Sequence, residues 1–405
     1  KFLMNKNVKI SLILLYFIFL FPLILTFFLG GGSTSRVISG SLSVRNYGEI
    51  IGIAFGIFFV FTHIKFFSKH CLNNKYLKPF FYLSFIYIGS TIWSDLRLLT
   101  FFRATEFFII GVLSLIVYNE FSTVDNKFNH KGLRRYLYHI VIIGILSGLI
   151  KRIAFDDIII EQNFLADNAL ALLLAGSFLI CFYQNFFLKD KNKSVFFLFI
   201  GLVFFSYSLT ALVTTVICIF YLYLSRSDDN KKYLFLIAIL ITLVIYFYIG
   251  DIRFINELLS YVSFRDIERI ETLTGRENIW KLTLEELDGR ILGSGFATDM
   301  QLLMSRFMLN EINTVSSGHN VFLESYIAAK WLGVIVVMYS FFFWFKKAKI
   351  CFPKEHASLV ESLVFFALIS GFTSSGYGGS LVSHPYILFW VTFTPLIIST
   401  NNEKK

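Results

Sequence analysis

The sequence is short of charge, of cysteine and of linker composition, and each shortage excludes something. Only 16% of its 405 residues are Asp, Glu, Lys or Arg. They cluster between long apolar runs, whereas a soluble core needs polar positions interleaved with apolar ones along each element. The four cysteines (Cys71, Cys181, Cys218 and Cys351) form no CxxC pair, which argues against disulfides and zinc. There is no Pro/Ser-rich linker, no repeat of 20–50 residues, no P-loop, no dinucleotide-binding glycine pattern and no nucleophile elbow. The chain therefore reads as one domain, 1–405.

What is present is apolar bulk. Hydrophobic residues make up 56% of the chain, 50 of them phenylalanine, and the mean hydropathy is +0.67. A helix needs roughly 20 apolar residues to cross a bilayer. Such runs lie near 8–30, 47–67, 77–94, 101–118, 136–150 and 168–188. Others lie near 194–206, 208–225, 232–250, 320–345, 357–372 and 382–400. The expected fold is all-α: a polytopic membrane protein of about twelve spans with one large helical extracytoplasmic loop, 251–319. The first run follows Lys1, Lys6 and Lys9 but exceeds the length of a signal-peptide core, so it is read as an uncleaved span.

The net charge of +10 is explained by orientation instead of nucleic acid. With both termini cytoplasmic, most Lys and Arg residues fall in inner loops, as the positive-inside rule requires. Fusing 194–206 with 208–225 would turn Lys346, Lys347 and Lys349 outward. The location implied is a cytoplasmic membrane, multi-pass.

The 251–319 segment holds the chemistry-bearing residues. Thr274 followed by Glu277 matches a capping box, so a helix is expected over 274–287 with Ile279, Trp280, Leu284 and Leu287 on its buried stripe. Arg276 would sit in the first turn, beside free backbone N–H groups, where a guanidinium holds a phosphate bidentately. Gly293-Ser294-Gly295 marks a tight turn. His319 would stand at the outer interface, able to act as a general base, with Glu324 one turn on. Taken singly, Arg276 also suits a solvated surface and His319 an amphipathic boundary position. Asp156-Asp157 lacks a third ligand and reads as a solvated loop.

Taken together, these residues resemble the O-antigen polymerase and O-antigen ligase family. The resemblance lies in Thr274-Gly275-Arg276-x-x-Ile279-Trp280, then Gly293-x-Gly295, then His319-Asn320-x-Phe322-Leu323-Glu324, ending at Gly333. Trp93-Ser94-Asp95 with Arg103 adds to it. The resemblance implies a glycosyltransferase of bacterial surface-polysaccharide biosynthesis. An acceptor sugar hydroxyl would displace the polyprenyl diphosphate from a lipid-linked glycan at the outer face. His319 would be the base and Arg276 the cation that stabilises the leaving diphosphate. Arg103, Arg97, Asn320, Glu324 and Trp280 would bind substrate. No metal and no cofactor is expected.

The partners implied are a polyprenyl-diphosphate-linked oligosaccharide donor, a glycan or lipid A-core acceptor, and membrane lipids. A polymerase is expected first and a ligase second. A lipid-linked glycan flippase or transporter is the third reading, disfavoured by five prolines and no paired repeats. The sequence departs from the family twice. Leu209 stands where an arginine is usual, which favours the polymerase. Lys330 stands where a glycine is usual, three residues before Gly333. In a straight helix Lys330 would lie roughly 16 Å below His319, either snorkelling or paired within the bundle, or, more specifically, ion-paired with Glu106 or acting near the lipid tail.

Overall fold

Buried aromatic side chains, Phe80, Tyr87, Phe107 and Trp344 among them, lie where the helices pack together. The computed structural model describes residues 78–122, 209–227, 276–298, 320–351 and 354–372, with isolated helical positions at 54–62 and 172–186. Among the described residues every regular element is helical and there is no strand. Helix α1 is Lys78–Gly89, followed by a 3-10 turn, Ser90–Ile92. Helix α2 is Arg97–Ser122 and α3 is Leu209–Ser227. Helix α4, Arg276–Glu286, belongs to the expected outer loop. Helices α5, Val321–Cys351, and α6, Lys354–Gly371, complete the set.

A short corner joins α1 to α2. Ser90 Oγ donates to Tyr87 O at 2.7 Å, taking up a carbonyl that the ending helix leaves over. Ser94 Oγ accepts from Leu96 N at 3.0 Å and so starts the next helix. Across the corner Phe107 lies against Phe80 at 5.2 Å and Tyr87 at 5.0 Å between ring centroids.

Helices α3 and α6 exchange polar contacts. Ser362 Oγ donates to Cys218 O at 3.2 Å, and Tyr221 OH donates to the buried Glu361 at 2.7 Å. Tyr221→Phe leaves that buried side chain without this donor and is expected to destabilise the protein by about 1–3 kcal/mol, measured by thermal unfolding.

Helix α5 packs against α6, and the Phe322 ring meets that of Phe372, just past the end of α6, at 4.7 Å with a tilt of 39°. The sequence led us to expect one straight helix over 320–345. The backbone breaks instead at Ala329 (φ −151°, ψ 30°) and Lys330 (φ 51°, ψ −142°). The two halves, 321–328 and 331–351, fold so closely that a Cβ on Gly333 would collide with Ser325 O. Hydropathy does not foresee this, because a single lysine in an apolar run reads equally as a snorkelling side chain on a straight helix.

The second half of α5 is apolar on its outward side as well. Trp331, Ile335 and Phe342 are exposed while Val337, Phe341 and Trp344 are buried. Val321–Ala348 is the one segment among the described residues whose length and composition suffice to cross a membrane. Ala211–Ser225 and Ala357–Gly371 are shorter apolar helices. The expected spans at 8–30, 136–150, 194–206, 232–250 and 382–400 lie outside the described residues.

Candidate functional site

The break in α5 creates the site's architecture. In an unbroken helix the carbonyls of Ile327 and Ala328 would accept from the N–H groups four residues on. The break frees them, and a buried carbonyl needs a partner. Ser294 N donates to Ile327 O at 2.8 Å, and Trp93 Nε1 donates to Ala328 O at 2.9 Å. Two distant pieces of chain are thereby plugged into one helix end.

The Gly293-Ser294-Gly295 turn fits because its glycines carry no Cβ. At Gly293 a Cβ would strike Ile327 O, and at Gly295 (φ +106°) it would strike Ser94 Oγ and lie 2.8 Å from Thr100 Oγ1. Ser94 and Thr100 share a hydrogen bond of 2.7 Å. Phe296 N donates to Ser90 Oγ at 3.0 Å, and the Phe296 ring stacks on Tyr87 at 3.9 Å. Tyr87 OH in turn meets Ser325 Oγ at 2.8 Å. Alongside this layer Arg290 Nη1 donates to Asp95 Oδ2 at 2.6 Å. The three stretches 87–100, 290–298 and 320–330 thus form one junction.

The residues singled out from the sequence have different fates there. Arg276 is the first residue of α4. His319, like Thr274 and the Asp156-Asp157 pair, lies outside the described residues. Asn320 caps α5: its Oδ1 accepts from Phe322 N at 2.9 Å and Leu323 N at 3.1 Å. Asn320→Ala is expected to cost about 1 kcal/mol in thermal unfolding, and Asn320→Asp to restore it, because Asp caps equally well.

Trp280 is half-buried against the cluster of Leu287, Leu323 and Ile327. The stripe of α4 differs from the expected one: Leu284 is 49% exposed and Thr283 is buried. A three-residue step from Trp280 brings Thr283 inward, and the next four-residue step reaches Leu287.

Glu324 is buried in the first turn of α5, where a carboxylate suits the positive end of the helix dipole. Arg103 is held by the buried Glu106 at 2.8 Å. Arg97 is exposed at the start of α2. The pairing of Glu106 with Lys330 weighed from the sequence is replaced. Glu106 holds Arg103, and Lys330 Nζ donates to Leu287 O at 2.6 Å.

Sequence reasoning passed over Ser90, Tyr87, Ser325 and Arg290. The Arg290–Asp95 bond joins positions 195 residues apart, and no local spacing rule reports such a pair. Among the described residues no three His, Cys, Asp or Glu side chains gather as metal ligands. Chemically the junction is a hydrogen-bonded hub, with Arg276 opening the helix that leads into it and Asn320 opening the helix it is built upon. No family model and no curated protein matches the sequence.

Proposed function

We propose that the protein is a polytopic membrane glycosyltransferase. It extends a surface polysaccharide by moving a polyprenyl-diphosphate-linked glycan onto an acceptor sugar hydroxyl at the outer face. The single observation that carries this reading is the convergence of separate pieces of the family resemblance on one junction. Trp93-Ser94, Gly293-x-Gly295 and the segment from Asn320 to Gly333 are far apart in sequence yet interlock through backbone and side-chain hydrogen bonds. A resemblance arising by chance gives no reason for its parts to meet.

Membrane insertion is supported by the outward apolar face of α5. Trp331 at 67%, Ile335 at 61% and Phe342 at 68% exposure would each cost free energy in water and none in lipid. A helix apolar on all sides is either buried or a span, and this one is not buried on its outer side. The full reading retains about twelve spans, both termini cytoplasmic, and 251–319 outside.

In this reading His319 takes the acceptor proton as the new glycosidic bond forms. The bond from the anomeric carbon to the diphosphate oxygen breaks, and Arg276 stabilises the charge that develops on the leaving diphosphate. The reaction is a displacement with no redox change. Arg103 is tied to Glu106 and Arg97 is exposed, so Arg97 is the freer of the two to contribute a second positive charge.

Transporters also use broken helices near a substrate site, which is the observation that keeps the flippase reading as an alternative. The carbonyls freed in α5 are taken by Ser294 and Trp93, which weakens that analogy. The experiment is to supply purified protein with polyprenyl-diphosphate-linked repeat units and no other acceptor. A ladder of lengthened glycans is expected. Transfer only when lipid A-core is added would make the protein a ligase. No product under either condition would sink the transferase.

A further inference from the structure

We propose that Lys330 is a latch. Its ammonium fastens the C-terminal end of loop helix α4 to the break in α5, and so holds the helix that Arg276 opens in place against the helix that Asn320 caps. The bearing of this on catalysis rests on the transferase reading; the latch itself does not.

The first observation is the contact. Lys330 Nζ lies 2.6 Å from Leu287 O, and Leu287 directly follows α4. The last carbonyls of a helix lack intrahelical donors and carry the negative end of its dipole. A cation placed there stabilises the end it touches. Arg290 N donates to the same carbonyl at 3.2 Å, so both lone pairs of Leu287 O are used.

The second observation is backbone geometry. Lys330 has a φ of +51° and a ψ of −142°, a conformation that glycine adopts without the steric penalty of a Cβ. Glycine is also the residue that the family resemblance leads one to expect at this position. A lysine here keeps an unfavourable backbone and gains a four-carbon arm ending in a donor. The arm is held: its ammonium lies 4.9 Å from the centre of the Tyr326 ring, and Trp331 braces that ring edge-on at 5.4 Å. A lysine that merely snorkels along a helix would not be stacked and bonded to a peptide carbonyl 43 residues away.

The alternative is that the side chain is idle and only the bend matters. The two ideas predict opposite outcomes for glycine. Lys330→Gly relieves the backbone and removes the latch, Lys330→Met removes only the ammonium, and Lys330→Arg keeps a cationic donor. Amide hydrogen exchange on full-length protein in detergent would read the order of the 287–298 turn through the amides of Arg290, Ser294 and Phe296.

With the latch at work, exchange there is expected to rise about tenfold in Lys330→Gly and Lys330→Met and to return towards wild type in Lys330→Arg. Helices α1, α2 and α6 should be unaffected. Wild-type protection in Lys330→Gly would overturn the proposal. If Lys330→Met fails to fold, Lys330→Gly decides alone, because it lacks the backbone strain.

Turnover of the lipid-linked donor gives the second readout. A fall of about tenfold in kcat/KM in Lys330→Gly, recovered in Lys330→Arg, is the signature of positioning. Loosened exchange with unchanged turnover would overturn the positioning role. Absence of transfer in wild type would instead sink the transferase reading, while the exchange measurement would still decide whether the latch exists.

Discussion

His319→Ala is expected to lower glycan transfer by about 10²–10⁴-fold while the protein stays in the membrane at wild-type level. The loss follows from the chemistry. A sugar hydroxyl is a poor nucleophile until its proton is taken, and an imidazole near neutral pH is suited to take it.

On the proposed mechanism Arg276→Ala is expected to do comparable damage by a different route, because the diphosphate would then leave without a guanidinium to share its charge. Arg276→Lys should recover only part, since a point charge does not reproduce bidentate recognition. The measurement is glycan-length profiling of a deletion strain carrying each variant, alongside immunoblotting for protein level. Normal glycan length in both His319→Ala and Arg276→Ala would end the proposed chemistry.

Gly293→Ala and Gly295→Ala should produce the largest losses of stability, about 3 kcal/mol each. At Gly293 the obstacle is backbone: an added methyl meets the carbonyl of Ile327, which is already committed to Ser294 N. At Gly295 two costs combine. The residue has a positive φ, and its methyl would enter the Ser94–Thr100 hydrogen-bonded pair. Gly289 supplies the internal control. It too has a positive φ (+75°), but open space surrounds its Cβ position. Gly289→Ala should cost only about 1 kcal/mol. Thermal unfolding in detergent would rank the three, and equal effects at 289 and 293 would refute the close-packed junction.

Helices and turns were more legible in the sequence than the junction that joins them. Helix α6 sits where the apolar run 357–372 placed it, and α4 spans nearly the interval that the capping pattern marked. Both signals are local, and local signals survive folding. The Gly293-x-Gly295 turn was legible for the same reason, since only glycine allows such close approach. The bend at Ala329–Lys330 was not legible. It is a property of two residues' dihedral angles within a mostly apolar run, and the carbonyls it frees are met by donors from residues 93 and 294, far off in sequence. Leu284 was misassigned because a helical stripe leaves open whether the next inward step is three residues or four. The serines and Tyr87 escaped notice because a hydroxyl within an apolar helix carries no spacing signature until its partner is known.

The helix break also has a consequence for how the chain is made. Both donors that capture its loose carbonyls, the Trp93 indole and the Ser294 amide, lie upstream of Ile327 and Ala328. They leave the ribosome first. The half-helix 321–328 therefore emerges to find its partners already synthesised, and nothing downstream of it is needed to satisfy those two groups. Because a buried carbonyl left unbonded is costly, that order of synthesis lets both groups be satisfied as the segment arrives instead of waiting on the C-terminal helices.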